Sequence, residues 1–399
     1  MTASPAKEDP DALGAVQRLL QQGEVAKALE TLNGLADAAQ SSVMGQYMRG
    51  VCLRLMGEFA NAESALRQLV EGNPSYGRAF QELGHLYRDA NMPTEALNAY
   101  ATACHLNPGL KASWAAQRDL IGKGSPERAA QINQRLQWLE SLPPALLASW
   151  DLLHEGKLHK AEQLCRQFMR QNPQHIDGMR VLAEIATRHG VLEDAEFLLE
   201  SAVEFEPEHR QARIDYVQIL SKRQRFQRAV DEAKALLDQA PDNPQLQSLY
   251  AIQCMQLGDY ESALTLFDKI LDRVPNDPVT NVSKGHALKT GGRSEDAITA
   301  YRTALKSKPF YCDAWYSLAN LKVYQFDDDE LSSMQALDDN PHLGGQDRVY
   351  LQFALGKAFE DRKDYEQSFH HYAKGNAIKK NQLQYKAEGT TQECDDQIT

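Results

Sequence analysis

The sequence predicts an all-α fold, an α-solenoid of about eleven helix-turn-helix units. Three observations carry this. Prolines recur at a fixed interval: Pro74 and Pro108 lie 34 residues apart, and Pro173, Pro207, Pro241, Pro275 and Pro309 follow one another at the same spacing. Twelve residues before each proline stands an alanine, at Ala62, Ala96, Ala161, Ala195, Ala229, Ala263 and Ala297. Ala28 and Ala130 take that place in units without the proline. Another twelve residues upstream the side chain is usually small, at Gly50, Gly84, Ser149, Ala183, Ala251 and Gly285, and at Ala319 in a later unit. A chain of 399 residues holds about 11.7 such lengths.

Each unit reads as two amphipathic helices, with apolar residues at i, i+3, i+4 and i+7. AFQELGHLYRDAN (79–91) is a first helix; ALNAYATACHLNP (96–108) and ALTLFDKILDRVP (263–275) are second helices. A close antiparallel crossing needs a small side chain on each partner, which the two small columns supply. Large residues four after the alanine, such as Tyr100, Leu199, Phe267 and Tyr301, fill the space around it. Gly57, Gly190, Gly258 and Gly292 end first helices, and the proline stops the second. The best units are 77–110, 176–209, 244–277 and 278–311.

Two units are irregular. Pro108 and Pro173 are 65 apart, so the unit at 111–141 is three residues short; it keeps Trp114 and Ala130 but has Arg118 at the small position. The unit at 312–347 opens with a normal first helix, YCDAWYSLANLK, and is expected to break at the acidic stretch from Phe326 to Glu330. The last unit recovers the pattern around Gly356 and Tyr365. Residues 1–8 read as a disordered lead-in, 9–380 as the solenoid and 381–399 as a polar acidic tail.

Composition narrows the function. A hydrophobic share of 42% is too high for a disordered chain. Net charge is −12, without the basic footprint of a nucleic-acid binder; the basic run from Arg210 to Arg228 is interrupted by acids and reads as a solvated helix face. No apolar run reaches 18 residues, and the N-terminus lacks the pattern of a secretory signal. The six cysteines are far apart and form no CxxC pair, which fits a reducing cytoplasm. Phosphate-loop, HExxH and GxSxG motifs are absent. Gly389-Thr390-Thr391 lacks the strand and helix that a phosphate cradle needs, and adjacent His370 and His371 cannot chelate as an i, i+4 pair. No catalytic, cofactor-binding or metal-ligating residue is identified, and the chain by itself is expected to catalyse nothing.

The column pattern resembles the tetratricopeptide repeat over about residues 9–380. That resemblance implies a right-handed superhelix whose concave groove, lined by first helices, binds an extended protein or peptide. Candidate groove residues are His286, Lys289, Tyr316, Asn320, Lys357 and Asp361 near the C-terminal end. In the middle they are Arg180, Glu184 and Arg188, and nearer the start Arg78, Gln81, His85 and Arg88. Such side chains can hydrogen-bond a peptide backbone or a carboxylate, or simply coat a wet face. Only Asn320 fits the repeated Lys and Asn positions of chaperone-tail adaptors.

A narrower likeness covers about residues 278–380. The ordered segments Gly285–Lys289, Gly292-Arg293, Ala300–Arg302, Ala314–Lys322, Phe326-Asp327, Phe353–Asp361, His371-Tyr372 and Gly375-Asn376 are similar to the repeat region of bacterial tetratricopeptide-repeat sulfotransferases. In that family a sulfotransferase domain using 3′-phosphoadenylyl sulfate follows the last repeat. The sequence ends at Thr399, where such a domain is expected to begin. The resemblance implies a substrate-recruiting repeat region; the alternative is a stand-alone adaptor.

Overall fold

The computed structural model describes residues 10–340, 343–383 and 391. The expected lead-in at 1–8, most of the expected tail, Cys394 and all of the GTT triplet but Thr391 lie outside those residues. Among the described residues are twenty-three α-helices and no strand. The chain forms two compact units, one reaching to Glu208 and one starting at His209.

Both units repeat one plan. Gly77–Asp89 pairs with Pro93–Leu106 in the first, and Pro278–Thr290 with Ser294–Ser307 in the second. The residue before each of the seven periodic prolines has left the helix, with φ between −147° and −131°. A proline ring clashes with a helical residue before it, so each second helix ends there. The first helices end in a left-handed residue. Gly57, Gly190, Gly258 and Gly292 have φ of 78° to 95°, while Asn91, Gln224 and Lys363 hold the same place at 59° to 63°.

The alanine column lies at the centre of the packing. Ala28, Ala62, Ala96, Ala161, Ala195, Ala229, Ala263 and Ala297 are all fully buried. The small column is buried too, but its partner differs from the expected alanine. A Cβ on Gly84 would lie 2.6 Å from the Tyr100 ring, and one on Gly356 would lie 2.7 Å from Tyr372. Gly285 meets Tyr301 in the same way. The small residue thus makes room for the large side chain one turn after the alanine.

Another column was not anticipated. Six residues after a proline, a side chain donates to that proline's carbonyl: Trp114 to Pro108 at 2.9 Å, Gln247 to Pro241 at 2.7 Å, Asn281 to Pro275 at 3.1 Å and Trp315 to Pro309 at 2.9 Å. The bond satisfies a carbonyl freed at the junction between units.

The irregular units fold differently from expectation. In Pro126–Ser141 the buried face is Ile132, Leu136 and Leu139, and Ala130 is exposed, so it does not belong to the alanine column. On the preceding helix Gln117 is buried, donating to Tyr100 O, and Arg118 pairs with Asp119 at the surface. The expected normal first helix at 311–322 stops at Ala319, after 8 residues against 13 in Pro278–Thr290, and the unit resumes where the acidic stretch at 326–330 starts a helix. Asp327 and Glu330 form a capping box for Asp328–Asp338, where carboxylates complement the helix N-terminus. Phe326 is buried, with its ring 6.0 Å from Trp315. Three helices are then joined by a polar chain: Gln352 donates to Asp338 at 2.6 Å and lies 2.8 Å from His371, and Lys374 reaches Asp338 at 2.9 Å. Burial would raise the Asp338 carboxyl, but Lys374 and Gln352 hold it below its usual range.

Cys52, Cys104, Cys165, Cys254 and Cys312 are free and buried as small apolar groups. Burial pushes the thiols of Cys104, Cys165 and Cys312 up to about 12. Among the described residues no helix is long and apolar enough to cross a membrane.

Candidate functional site

In the first unit the candidate residues are engaged within the unit. Arg78, on Gly77–Asp89, forms ion pairs with Asp151 and Glu155 at the end of Pro144–His154. Asn107 also donates to Asp151, at 2.7 Å. His85 Nδ1 lies 2.7 Å from the Tyr100 hydroxyl, with Gln81 one turn away at 3.4 Å. Burial, reinforced by Arg54 and Arg88, lowers His85 to about 4, so it is neutral at pH 7. Arg88 lies on the surface beside Asp89. Arg180 is 7% exposed, pairs with Asp177 at 2.6 Å and lies over the Trp138 ring. Glu184 pairs with Arg188 at 3.0 Å, and Arg188 also donates to Leu153 O at 2.8 Å. Arg78, His85 and Arg188 bond to other helices, while Arg180, Glu184 and Arg88 pair within their own.

In the second unit the pattern is more open. His286 Nδ1 lies 3.0 Å from the Tyr301 hydroxyl, repeating the His85–Tyr100 pair, and burial lowers its pKa. Lys289 and Asn320 are exposed. Among the described residues Lys289 forms no ion pair and the Asn320 side chain no hydrogen bond. Tyr316 stacks on Tyr350, with ring centroids 4.9 Å apart, and meets Phe353 at 6.3 Å. Phe353 in turn lies 6.0 Å from Tyr372. Lys357 is paired with Asp361 one turn along its helix, and the second Asp361 oxygen is buried without a hydrogen-bond partner.

Sequence reasoning missed Asp313, Asp347, Tyr350 and Phe353 at this face. A signal was present: Tyr350 and Phe353 repeat the i, i+3 spacing of Asp313 and Tyr316, 37 residues later. The structure joins Tyr316 to Tyr350 and Phe353, whereas Lys357 and Asp361 bond to each other.

Models of known families match much of the chain. The tetratricopeptide repeat model matches residues 13–77, 47–111 and 282–321. The model of the cytochrome c-type biogenesis protein H tetratricopeptide domain matches residues 164–280. No curated protein matches the chain. Among solved structures, the Cut9–Hcn1 complex of the APC/C contains a chain similar to this one at 12% identity. The match covers 92% of this chain and 87% of that one, with a TM-score of 0.45. A tetratricopeptide repeat protein from Parabacteroides merdae is similar at 14% identity over 71% of this chain and 99% of its own, with a TM-score of 0.42. PilF of Pseudomonas aeruginosa is similar at 16% identity over 49% of this chain and 89% of its own, with a TM-score of 0.40. The helix pairs described above are tetratricopeptide-like repeats, and the chain is a tetratricopeptide-repeat protein.

Proposed function

We propose that this chain is a non-catalytic scaffold that binds other proteins, and that the unit starting at His209 takes an extended peptide segment. The observation that carries this reading is the Tyr316–Tyr350 stack with Phe353 beside it and the exposed Asn320 four residues on from Tyr316. Aromatic faces provide contact area with little rotamer entropy to lose, and an amide can bond a peptide backbone. The first unit supports a different role, since Arg78, Arg180, Glu184 and Arg188 are each engaged in ion pairs within the unit. The buried free thiols suit a reducing compartment such as the cytoplasm.

The test is selection of displayed 12-residue peptides on the full chain, followed by affinity measurement on the Tyr316→Ala, Asn320→Ala double variant. A loss of at least tenfold, with helical content and melting unchanged, is expected. Equal affinity in the double variant would move the site elsewhere.

A second reading makes the chain the substrate-recruiting region of a sulfotransferase that uses 3′-phosphoadenylyl sulfate. It rests on the ordered motifs between 278 and 380; the two matching family models are repeat models and add nothing to it. The coding sequence past codon 399 separates the readings. An in-frame strand–SGTT–helix segment favours the enzyme-associated one, and a stop codon favours the adaptor.

A further inference from the structure

The aromatic face of the second unit lies beside two carboxylates. Asp313 lies in the first turn of the helix that carries Tyr316, and Asp347 in the first turn of the helix that carries Tyr350. Among the described residues neither forms an ion pair, and the hydrogen bond to Asp313 comes from the neutral Ser317 hydroxyl at 3.3 Å. Each bears on the other and on Tyr311. Burial raises the Asp347 carboxyl, Lys308 opposes this and Asp313 adds to it. The nearby Lys308 turns its ammonium over rings instead, 4.9 Å from the centre of Tyr311 and 5.2 Å from that of Phe310. One cation thus already sits on an aromatic face beside these acids, while Ser317 is the one side-chain donor to Asp313 among the described residues.

Building on the peptide-binding reading above, we propose that this locus receives an arginine side chain of the partner's extended segment, its guanidinium lying over the Tyr316–Tyr350 stack and its N–H groups on Asp313 and Asp347. Arginine suits the place better than lysine. Its planar guanidinium stacks on aromatic rings and its five donors bridge two carboxylates, whereas an ammonium is a compact, strongly hydrated charge. An acidic segment would meet two carboxylates with only Lys308 near them and be repelled. The partner is therefore a protein with a basic, arginine-bearing extended stretch.

The experiment selects displayed random 12-residue peptides on the full chain and, in parallel, on the Asp313→Asn, Asp347→Asn variant. Arginine enriched at one peptide position on the native chain, and lost on the variant, is the expected result. A selected peptide should then weaken at least tenfold when its arginine becomes glutamine, and less when it becomes lysine. Peptides selected without arginine, or arginine enrichment that persists on the variant, overturn the inference and leave the scaffold reading in place. Failure to select any peptide sinks both. If the double variant loses helical content, Tyr350→Ala with the same peptide gives the answer, and unchanged affinity there overturns the proposal.

Discussion

The two units share a helix plan but use their polar residues differently. In the first, Arg78 spans from one first helix to another, and Arg54 pairs with Glu82 at 2.5 Å and Asp89 at 2.6 Å. In the second, the comparable face offers stacked rings, an exposed amide and two carboxylates that, among the described residues, have no ion-pair partner. Arg78 on Gly77–Asp89 meets Asp151 on Pro144–His154, with Lys111–Ile121 between those two helices in the sequence. A repeat can therefore consume its own binding face by pairing it internally, and the same repeat elsewhere leaves that face for a partner.

The strongest way to break this comparison is Arg78→Ala. It leaves Asp151 without its cation and the 9% exposed Glu155 side chain with Lys157 alone. Removing one partner of a buried pair costs about 3–5 kcal/mol; with Arg78 itself one-third exposed, a loss of roughly 2–3 kcal/mol is expected. Chemical denaturation should show the first unit unfolding earlier and the second unchanged. Equal stability would mean the brace is incidental.

Gly84→Ala and Gly356→Ala test whether packing, unlike the polar face, is the same in both units. Each new methyl would press on a tyrosine ring. Overpacking costs about 1–3 kcal/mol, offset by up to ~1 kcal/mol of helix propensity. Melting should drop by similar amounts in the two variants. Ala195→Leu, at a fully buried position of the other column, should cost about 1–3 kcal/mol for the same reason.

Acid sharpens the contrast further. The folded pKa of His85, about 4, lies below the ordinary 6.5, so the unfolded chain binds its proton first. Stability from this site is complete above pH 6.5, falls as the pH drops toward 4, and falls no further below it. The loss is on the order of 1–3 kcal/mol. His85→Gln should flatten that part of the urea-midpoint profile; an unchanged slope would assign the acid sensitivity to other groups. The smallest effect belongs to Gln224, left-handed at φ 59° where other units have glycine. Gln224→Gly should stabilise the second unit by up to about 1 kcal/mol, and a destabilised variant would show that its side chain matters more than its backbone.

Much of the fold was legible because its determinants are local and periodic. Proline geometry, the alanine column and the glycine turns act within a few residues, and each recurs often enough to be seen. The irregular units hid their packing because periodicity no longer specified the face. Ala130 kept the spacing while Ile132, Leu136 and Leu139 took the core. The candidate site was legible in residue type but not in availability. Nothing near Arg78 in the sequence announces Asp151, 73 residues away, and nothing near Tyr316 announces its stack on Tyr350. Those contacts depend on how successive helices come together, which one sequence does not encode in short-range pattern.

The indole of Trp315 gives one junction an optical handle. Of the four tryptophans, Trp114, Trp138 and Trp150 precede residue 209, so Trp315 is the sole such fluorophore after it. Its N–H is tied to the carbonyl of Pro309, and its ring is 4% exposed. A chain with the other three changed to phenylalanine would emit from the C-terminal half alone. A red shift during denaturation would time the release of that latch, and a shift on adding peptide would register events a few residues from the Tyr316 stack.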